Sequence, residues 1–258
     1  MVAAKATRMT WVLLRGLTRE ARHWGSFANQ LASHLGEKVL TPDMPGSGEF
    51  FCQPSPLTVR ANVDAVRQHL QASGARPPFA LMGMSMGGMA AADWAQRYPD
   101  EISQLVLINT SMRPFSSLAQ RLRPHSWLLL ARIALRWNKS GQAAAIEGVI
   151  HQLTCKQAAH NEADIAAWSG IRLSAPVSAG NAVRQLMAAA KFSCAPTAPR
   201  HPVLVLSSAR DQLVNPLCSA QLAAAWNAPH LQHEAAGHDL PHDDGAWICR
   251  QVAMWRCR

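Results

Sequence analysis

Residues 81–90 read LMGMSMGGMA, and no other stretch constrains the fold of this chain as tightly. One serine, Ser85, stands between Gly83, Gly87 and Gly88, directly after an apolar run. Glycine is costly inside a strand or a helix. Three of them within six residues mark a tight, crowded turn. The run before it, FALMG (79–83), reads as a strand, and the residues after it suit a helix. G-x-S-x-G in strand–turn–helix context is a nucleophile elbow. Its glycines remove side chains that would collide as the strand folds back on the helix. The turn then holds the Ser85 hydroxyl at the C-terminal edge of a sheet, with helix amides and a positive dipole end behind it.

The rest of the chain supplies a sheet for such a turn. Short apolar runs recur at WVLL (11–14), KVL (38–40), QLVLIN (104–109), VLVLSS (203–208) and HLQHE (230–234). Amphipathic patterns at 57–72, 86–97 and 216–226 lie between them. Alternating strand and helix predicts an α/β fold, a mostly parallel central sheet of about six strands flanked by helices. The near-continuous apolar character of the runs fits strands buried on both faces. The alternation stops between 111 and 192, where 126–137, 141–153, 162–171 and 179–192 read as helices. This predicts a core of residues 1–110 and 193–258 with a helical cap inserted at 111–192. Apolar side chains of 126–137, Leu128, Leu129, Ile133 and Leu135 among them, are candidates to line a pocket or to pack the cap onto the body.

Bulk properties exclude several classes. A chain of 258 residues, 48% hydrophobic, suffices for one large domain and is short for two. Its 25 Lys+Arg against 16 Asp+Glu give +9, yet there is no basic run, zinc-finger spacing or aromatic-glycine RNA motif, so nucleic acid is not an expected partner. The six cysteines, Cys52, Cys155, Cys194, Cys218, Cys249 and Cys257, form no CxxC pair, which fits reduced thiols in the cytoplasm. The apolar run near the N-terminus is too short for a secretory signal. No run of about 18 uncharged apolar residues exists to span a membrane. One local charge concentration stands out. From Ile102 to Ile146 there is no acidic residue, while Arg113, Arg121, Arg123, Arg132, Arg136 and Lys139 are present. On one shared face they would attract an anionic acyl donor; otherwise they form a solvated surface.

A serine hydroxyl needs a base, itself oriented by an acid. After an elbow the chain order is Ser, Asp/Glu, His. VLVLSSARDQLVNP puts Asp211 just past an apolar strand, and HLQHEAAGHDLPHDD puts His238 in a glycine-led loop after the last one. His242 is the second choice of base; His233 lies within a strand run and reads as structural. Asp239, Asp243 and Asp244 are too close to His238 in sequence to reach its other ring nitrogen easily. Asn109 ends a strand where such folds can keep an acid, but an amide cannot serve as one. The His238–His242 spacing is not a zinc helix, since no Glu follows the first His and Pro241 breaks the helix. No metal and no cofactor are expected. The loop LLRGLTREARHW (13–24) supplies the second half of an oxyanion hole, with the backbone N–H of Leu17 paired to that of Met86.

GMSMGG, ARDQLVNP and AGHDLP together resemble the α/β-hydrolase superfamily, and LLRGLTREARHWGSF and PDMPGSGEF resemble its oxyanion loop and the loop after the next strand. The resemblance covers roughly 10–110 and 200–255. It implies Ser85 as nucleophile, Asp211 as acid, His238 as base, and Leu17 and Met86 as oxyanion donors. It also implies that the first strands of the fullest family sheet are missing, leaving six. Many members carry His-Gly where this chain has Arg15-Gly16. The expected activity is carboxylic ester hydrolysis on a small-molecule ester or thioester. Thioesterase, C–C hydrolase or non-enzymatic ligand binding are the alternatives on the same fold. Acyl chain, alcohol and oligomeric state are not specified by the sequence.

Overall fold

The computed structural model describes residues 9–156 and 161–257. Six strands, β1 (Thr10–Leu14), β2 (Lys38–Leu40), β3 (Phe79–Met84), β4 (Ile102–Ile108), β5 (Val203–Ser208) and β6 (His230–His233), form one parallel sheet in the order β2-β1-β3-β4-β5-β6. Each strand falls on an apolar run of the sequence: β2 and β5 match their runs end to end, and the others differ by one or two residues at one or both ends. The side chains alternate between two cores, as the period of a strand requires, except at the start of β4, where a register shift puts Ile102 on the same side as Leu105. Val12, Leu14, Leu81, Leu105, Leu107, Val203 and Val205 face one layer of helices. Trp11, Leu13, Ala80, Met82, Val106, Ile108, Leu204 and Leu206 face the other.

The first layer contains α2 (Val59–Ala72), α3 (Met86–Arg97) and α9 (Leu217–Ala225). Val59, Val63, Val66 and Leu70 recur at helical spacing on α2 and are all buried, while the Thr58 hydroxyl caps its N-terminus by accepting from the Ala61 N–H. The second layer contains α1 (Phe27–Leu35) and α10 (Leu240–Arg256), which bury Phe27, Leu31, Ile248 and Val252. His238 lies outside α10, which starts at Leu240 and is kinked at Asp244 (φ −152°, ψ 72°), so His238 and His242 share no helix, although Pro241 itself is not what interrupts it. Pro241 occupies the first turn of α10, where a proline lacks nothing, because that N–H has no acceptor within the helix.

Between β4 and β5 the described residues form α4 (Leu118–Arg121), α5 (Trp127–Arg136), α6 (Ala143–Thr154), α7 (Asn161–Ser174) and α8 (Ala179–Lys191). Ile133, Ile146 and Leu153 make a small separate core there, with Leu129, Leu130 and Leu213 packed on it. Leu213 comes from the loop after β5, so this cluster rests on the strand-end loops. Leu128 and Leu135 do not line a pocket: they point outward, 64% and 77% exposed. No helix among the described residues is long and apolar enough to cross a membrane.

Candidate active site

Ser85 connects β3 to α3 with φ 56° and ψ −120°, a left-handed conformation rare for a residue with a side chain. Neighbours hold it there. Its N–H donates to Ile108 O at 2.9 Å, and Thr110 Oγ1 donates to its carbonyl at 2.7 Å. The flanking glycines are required by space. A Cβ on Gly87 would lie 1.9 Å from Leu14 O, and one on Gly83 would lie 2.3 Å from Gly87 O. Met86 opens α3, so its N–H is one of the first-turn donors that no intrahelical carbonyl satisfies.

Asp211 and His238 meet in the loops after β5 and β6. His238 Nδ1 lies 2.6 Å from Asp211 Oδ2, with both residues buried. The other Asp211 oxygen, Oδ1, accepts from the N–H of Leu213 at 2.8 Å and of Val214 at 2.9 Å. The carboxylate is therefore fixed on both sides. Its Oδ2 holds the Nδ1 proton and leaves Nε2 of His238 as the acceptor. Burial alone would lower the His238 pKa. The charge and hydrogen bond of Asp211 outweigh it and hold the imidazole above its ordinary value.

Asn109 ties this pair to the elbow. Its φ is 46°, and its Nδ2 donates to His238 O at 2.8 Å and to Ser208 Oγ at 2.9 Å. Its Oδ1 accepts from the Ser208 N–H at 2.9 Å. It follows Ile108, whose carbonyl receives the Ser85 N–H. The residue that sequence reasoning set aside as a failed acid thus anchors the backbone of the histidine loop.

The 13–24 loop runs beside Ser85. A Cβ on Gly16 would come within 3.1 Å of Ser85 Cβ and 3.5 Å of Ser85 Oγ, so the bare glycine lets this backbone run close to the hydroxyl without crowding it. The next turn is pinned by Gln185 of α8, whose Oε1 accepts the Thr18 N–H at 2.8 Å and whose Nε2 reaches Ser47 Oγ and Ser55 Oγ. Gly16, Met44, Ser47, Met86 and Gln185 line a cleft at this point. A buried Glu147 of α6 holds Arg19 of the same loop at 2.7 Å and Arg172 of α7 at 2.6 Å.

Arg15, the departure from the His-Gly pattern, has a defined partner. Its guanidinium makes a bidentate pair with Asp239, at 3.1 and 2.6 Å, and lies over the Trp24 ring. Both residues are buried. The pair joins the 13–24 loop to the residue after His238. We expect Arg15→Met to lose about 3–5 kcal/mol in urea unfolding, because it strands a buried carboxylate. Adding Asp239→Leu should recover much of that loss. A single variant as stable as the parent would show that the pair does not tie the two loops together.

The other candidate acids and bases are engaged elsewhere. His242 Nε2 lies 2.9 Å from Asp164 Oδ2, far in sequence from Asp211. His233 pairs with Asp244 at 3.3 Å and packs edge-on against Trp247. Asp243 accepts the N–H of Gly237 at 2.6 Å and that of Lys156 at 3.0 Å.

The basic stretch does not form one face. Arg121 is buried and donates to Ala189 O and Ala190 O, and Arg113 donates to Lys191 O, so both cap the C-terminal end of α8. Arg123 donates to Asp211 O at 2.6 Å. Arg132, Arg136 and Lys139 remain on the exposed surface. Cys155, Cys194 and Cys249 are buried, and burial pushes their thiols up, Cys194 to about 12 and Cys249 to about 11; none is poised as a nucleophile.

Comparison with known proteins agrees with this architecture. Residues 12–245 match the family model of the alpha/beta hydrolase fold. A homoserine O-acetyltransferase of Zymomonas mobilis is 36% identical over 87 residues, 33% of this chain and 23% of that protein. A pimeloyl-[acyl-carrier protein] methyl ester esterase of Chromobacterium violaceum is 34% identical over 102 residues, 40% of this chain and 37% of the relative. The chain thus spans about a quarter to a third of the length of these curated relatives. Among solved structures, a thermophilic esterase from Thermogutta terrifontis superposes with TM-score 0.74 at 24% identity, over 96% of this chain and 89% of that one. At that identity the likeness is one of fold.

Proposed function

This chain belongs to the alpha/beta hydrolase fold family, and from that premise we propose that it is a serine hydrolase cleaving carboxylic esters through an acyl-enzyme. The observation that carries the reading is the buried Asp211–His238 pair, anchored by Asn109 to the strand that receives the Ser85 N–H. In this reading Ser85 Oγ attacks the ester carbonyl as His238 Nε2 takes its proton. The N–H groups of Leu17 and Met86 receive the oxyanion. His238 then returns the proton to the departing alcohol. Water, activated by the same nitrogen, releases the acid. Asp211 holds the imidazolium that forms at each step. Residues 111–192 act as the cap, since α6 and α8 grip the oxyanion loop through Glu147 and Gln185. No metal or organic cofactor takes part in this scheme. The substrate is a small ester or thioester, and six free cysteines suit the cytoplasm.

The test is turnover of p-nitrophenyl esters of increasing chain length. We expect hydrolysis with a chain-length optimum. Absence of turnover at every length would favour a ligand-binding role. A second reading follows from the relatives named for O-acetyl transfer: an acyl-enzyme passes its acyl group to an alcohol where water is kept out. Homoserine added to a p-nitrophenyl acetate assay separates the two, because transfer makes O-acetylhomoserine at the expense of acetate.

A further inference from the structure

Three side chains with metal-ligating chemistry, His151, Cys155 and His242, converge where the end of α6 meets the start of α10, and a carboxylate of α7 stands against both histidines; none of the four is used in the proposed hydrolysis. His151 and Cys155 come from the end of α6, Asp164 from α7 and His242 from the first turn of α10. A ring nitrogen of each histidine and the Cys155 Sγ lie within 4.8 Å of one another. Asp164 Oδ2 lies 2.9 Å from His242 Nε2 and 3.4 Å from His151 Nε2. The Trp168 ring packs on both imidazoles, with centroids 5.3 and 5.2 Å away.

We infer that these four side chains form a binding site for a zinc-class divalent transition metal, which fastens α6 and α7 to the segment carrying His238. Bonds of about 2.3 Å to sulfur and 2.0–2.2 Å to nitrogen and oxygen place the ligand atoms of a tetrahedral ion roughly 3.3–3.8 Å apart. The spread of His151, Cys155 and His242 closes to that spacing by a movement on the order of 1 Å, and Asp164, now hydrogen-bonded to the histidines, joins as the fourth ligand by exchanging those contacts for the ion. The donor set selects the ion. A thiol and two imidazoles suit zinc or cobalt and not the oxygen-seeking calcium or magnesium. Charge balances as well: one thiolate, one carboxylate and two neutral imidazoles neutralise a divalent ion in a largely buried place. Entry is open, because the His242 and Asp164 side chains are 24% and 20% exposed. The site is separate from the His238–His242 spacing rejected from the sequence, since His238 faces Asp211. Its ligands are spread over three helices, and only the His151–Cys155 pair, four residues apart at a helix end, is visible locally.

The test is cobalt(II) titration of protein freed of metal with a chelator, with exposed Cys52 and Cys257 replaced by serine to remove competing thiols. We expect one equivalent to bind with a thiolate-to-cobalt charge-transfer band and the d–d absorption of a four-coordinate ion. Zinc should displace it and raise the Tm. Cys155→Ser should abolish the band and weaken binding on the order of 100-fold, and Asp164→Ala should weaken binding while leaving the band. Asp164 is part-exposed on its helix, so that variant keeps the test open if Cys155→Ser does not fold. No charge-transfer band in the parent, a band that survives Cys155→Ser, or unchanged affinity in Asp164→Ala would each overturn the assignment. The readouts are spectroscopic and thermal, so failure of the ester assay leaves this result standing.

Discussion

Ser85→Ala is expected to lower kcat for ester hydrolysis on the order of 10⁴–10⁶-fold, with the residual rate coming from substrate binding and the oxyanion donors. His238→Ala should fall into the same range, and the double variant should be little worse than either single one. The reason is mechanistic: without the base the hydroxyl is not activated, and without the hydroxyl the base has no proton to take. Purified Ser85→Ala with substantial turnover would remove Ser85 from the reaction. If His242→Ala were inactive while His238→Ala turned over normally, the base would move to His242. The backbone allows a control that separates chemistry from folding. Ser85 sits at φ 56°, which costs a residue with a Cβ about 1–3 kcal/mol, and glycine escapes that cost. Ser85→Gly should therefore be as inactive as Ser85→Ala yet unfold at higher urea. A dead but more stable variant ties the loss of rate to the missing hydroxyl rather than to a damaged fold.

What was legible in the sequence follows from how far each interaction reaches along the chain. Strands buried on both faces, such as FALMGM, need continuous apolar runs, and those runs show in a short window. The elbow was legible because backbone collisions at Gly83 and Gly87 leave a fixed glycine spacing. Asp211 and His238 stand directly after strands, where parallel topology delivers residues to one sheet edge. Interactions without a local period stayed hidden. Arg15 and Asp239 are separated by 224 residues, and nothing near either one announces the other. Gln185 and Glu147 lie on helices whose amphipathic pattern gives no sign of a buried polar anchor. The arginines of 113–123 looked like a surface charge patch because a net count cannot distinguish a solvated guanidinium from one that caps a helix. Pro241 resembles a breaker in the sequence because a proline at a first helical turn looks the same as one that ends a helix, whereas the kink of α10 falls at Asp244, which no local residue pattern marks.

Asp211→Asn is expected to lower kcat about 10⁴-fold with little change in shape. The hydrogen bonds say why the side chain cannot adapt. Oδ1 of Asp211 accepts two backbone N–H groups, from Leu213 and Val214, and Oδ2 accepts the Nδ1 proton of His238. An asparagine has one oxygen. If that oxygen stays with the two amides, its NH₂ faces His238 Nδ1, which must then accept and move its proton to Nε2. That tautomer cannot take the proton of Ser85. If the oxygen turns to His238, the NH₂ confronts two N–H donors in a buried loop, which costs stability as well. Two amides against one imidazole favour the first arrangement. The pH profile carries a second signature. The base works when neutral, and Asp211 holds the His238 pKa above its ordinary value against the opposing effect of burial. The parent's kcat/KM should therefore rise with pH through a midpoint above about 6.5. In Asp211→Asn the plateau drops and the midpoint moves down, because the charge that raised it is gone. Asp211→Asn with full activity would place the acid elsewhere. The nearby carboxylates are committed to Arg15, to the Gly237 and Lys156 amides, and to His233. A low plateau with an unshifted midpoint would mean that Asp211 positions the loop without touching the charge of the base.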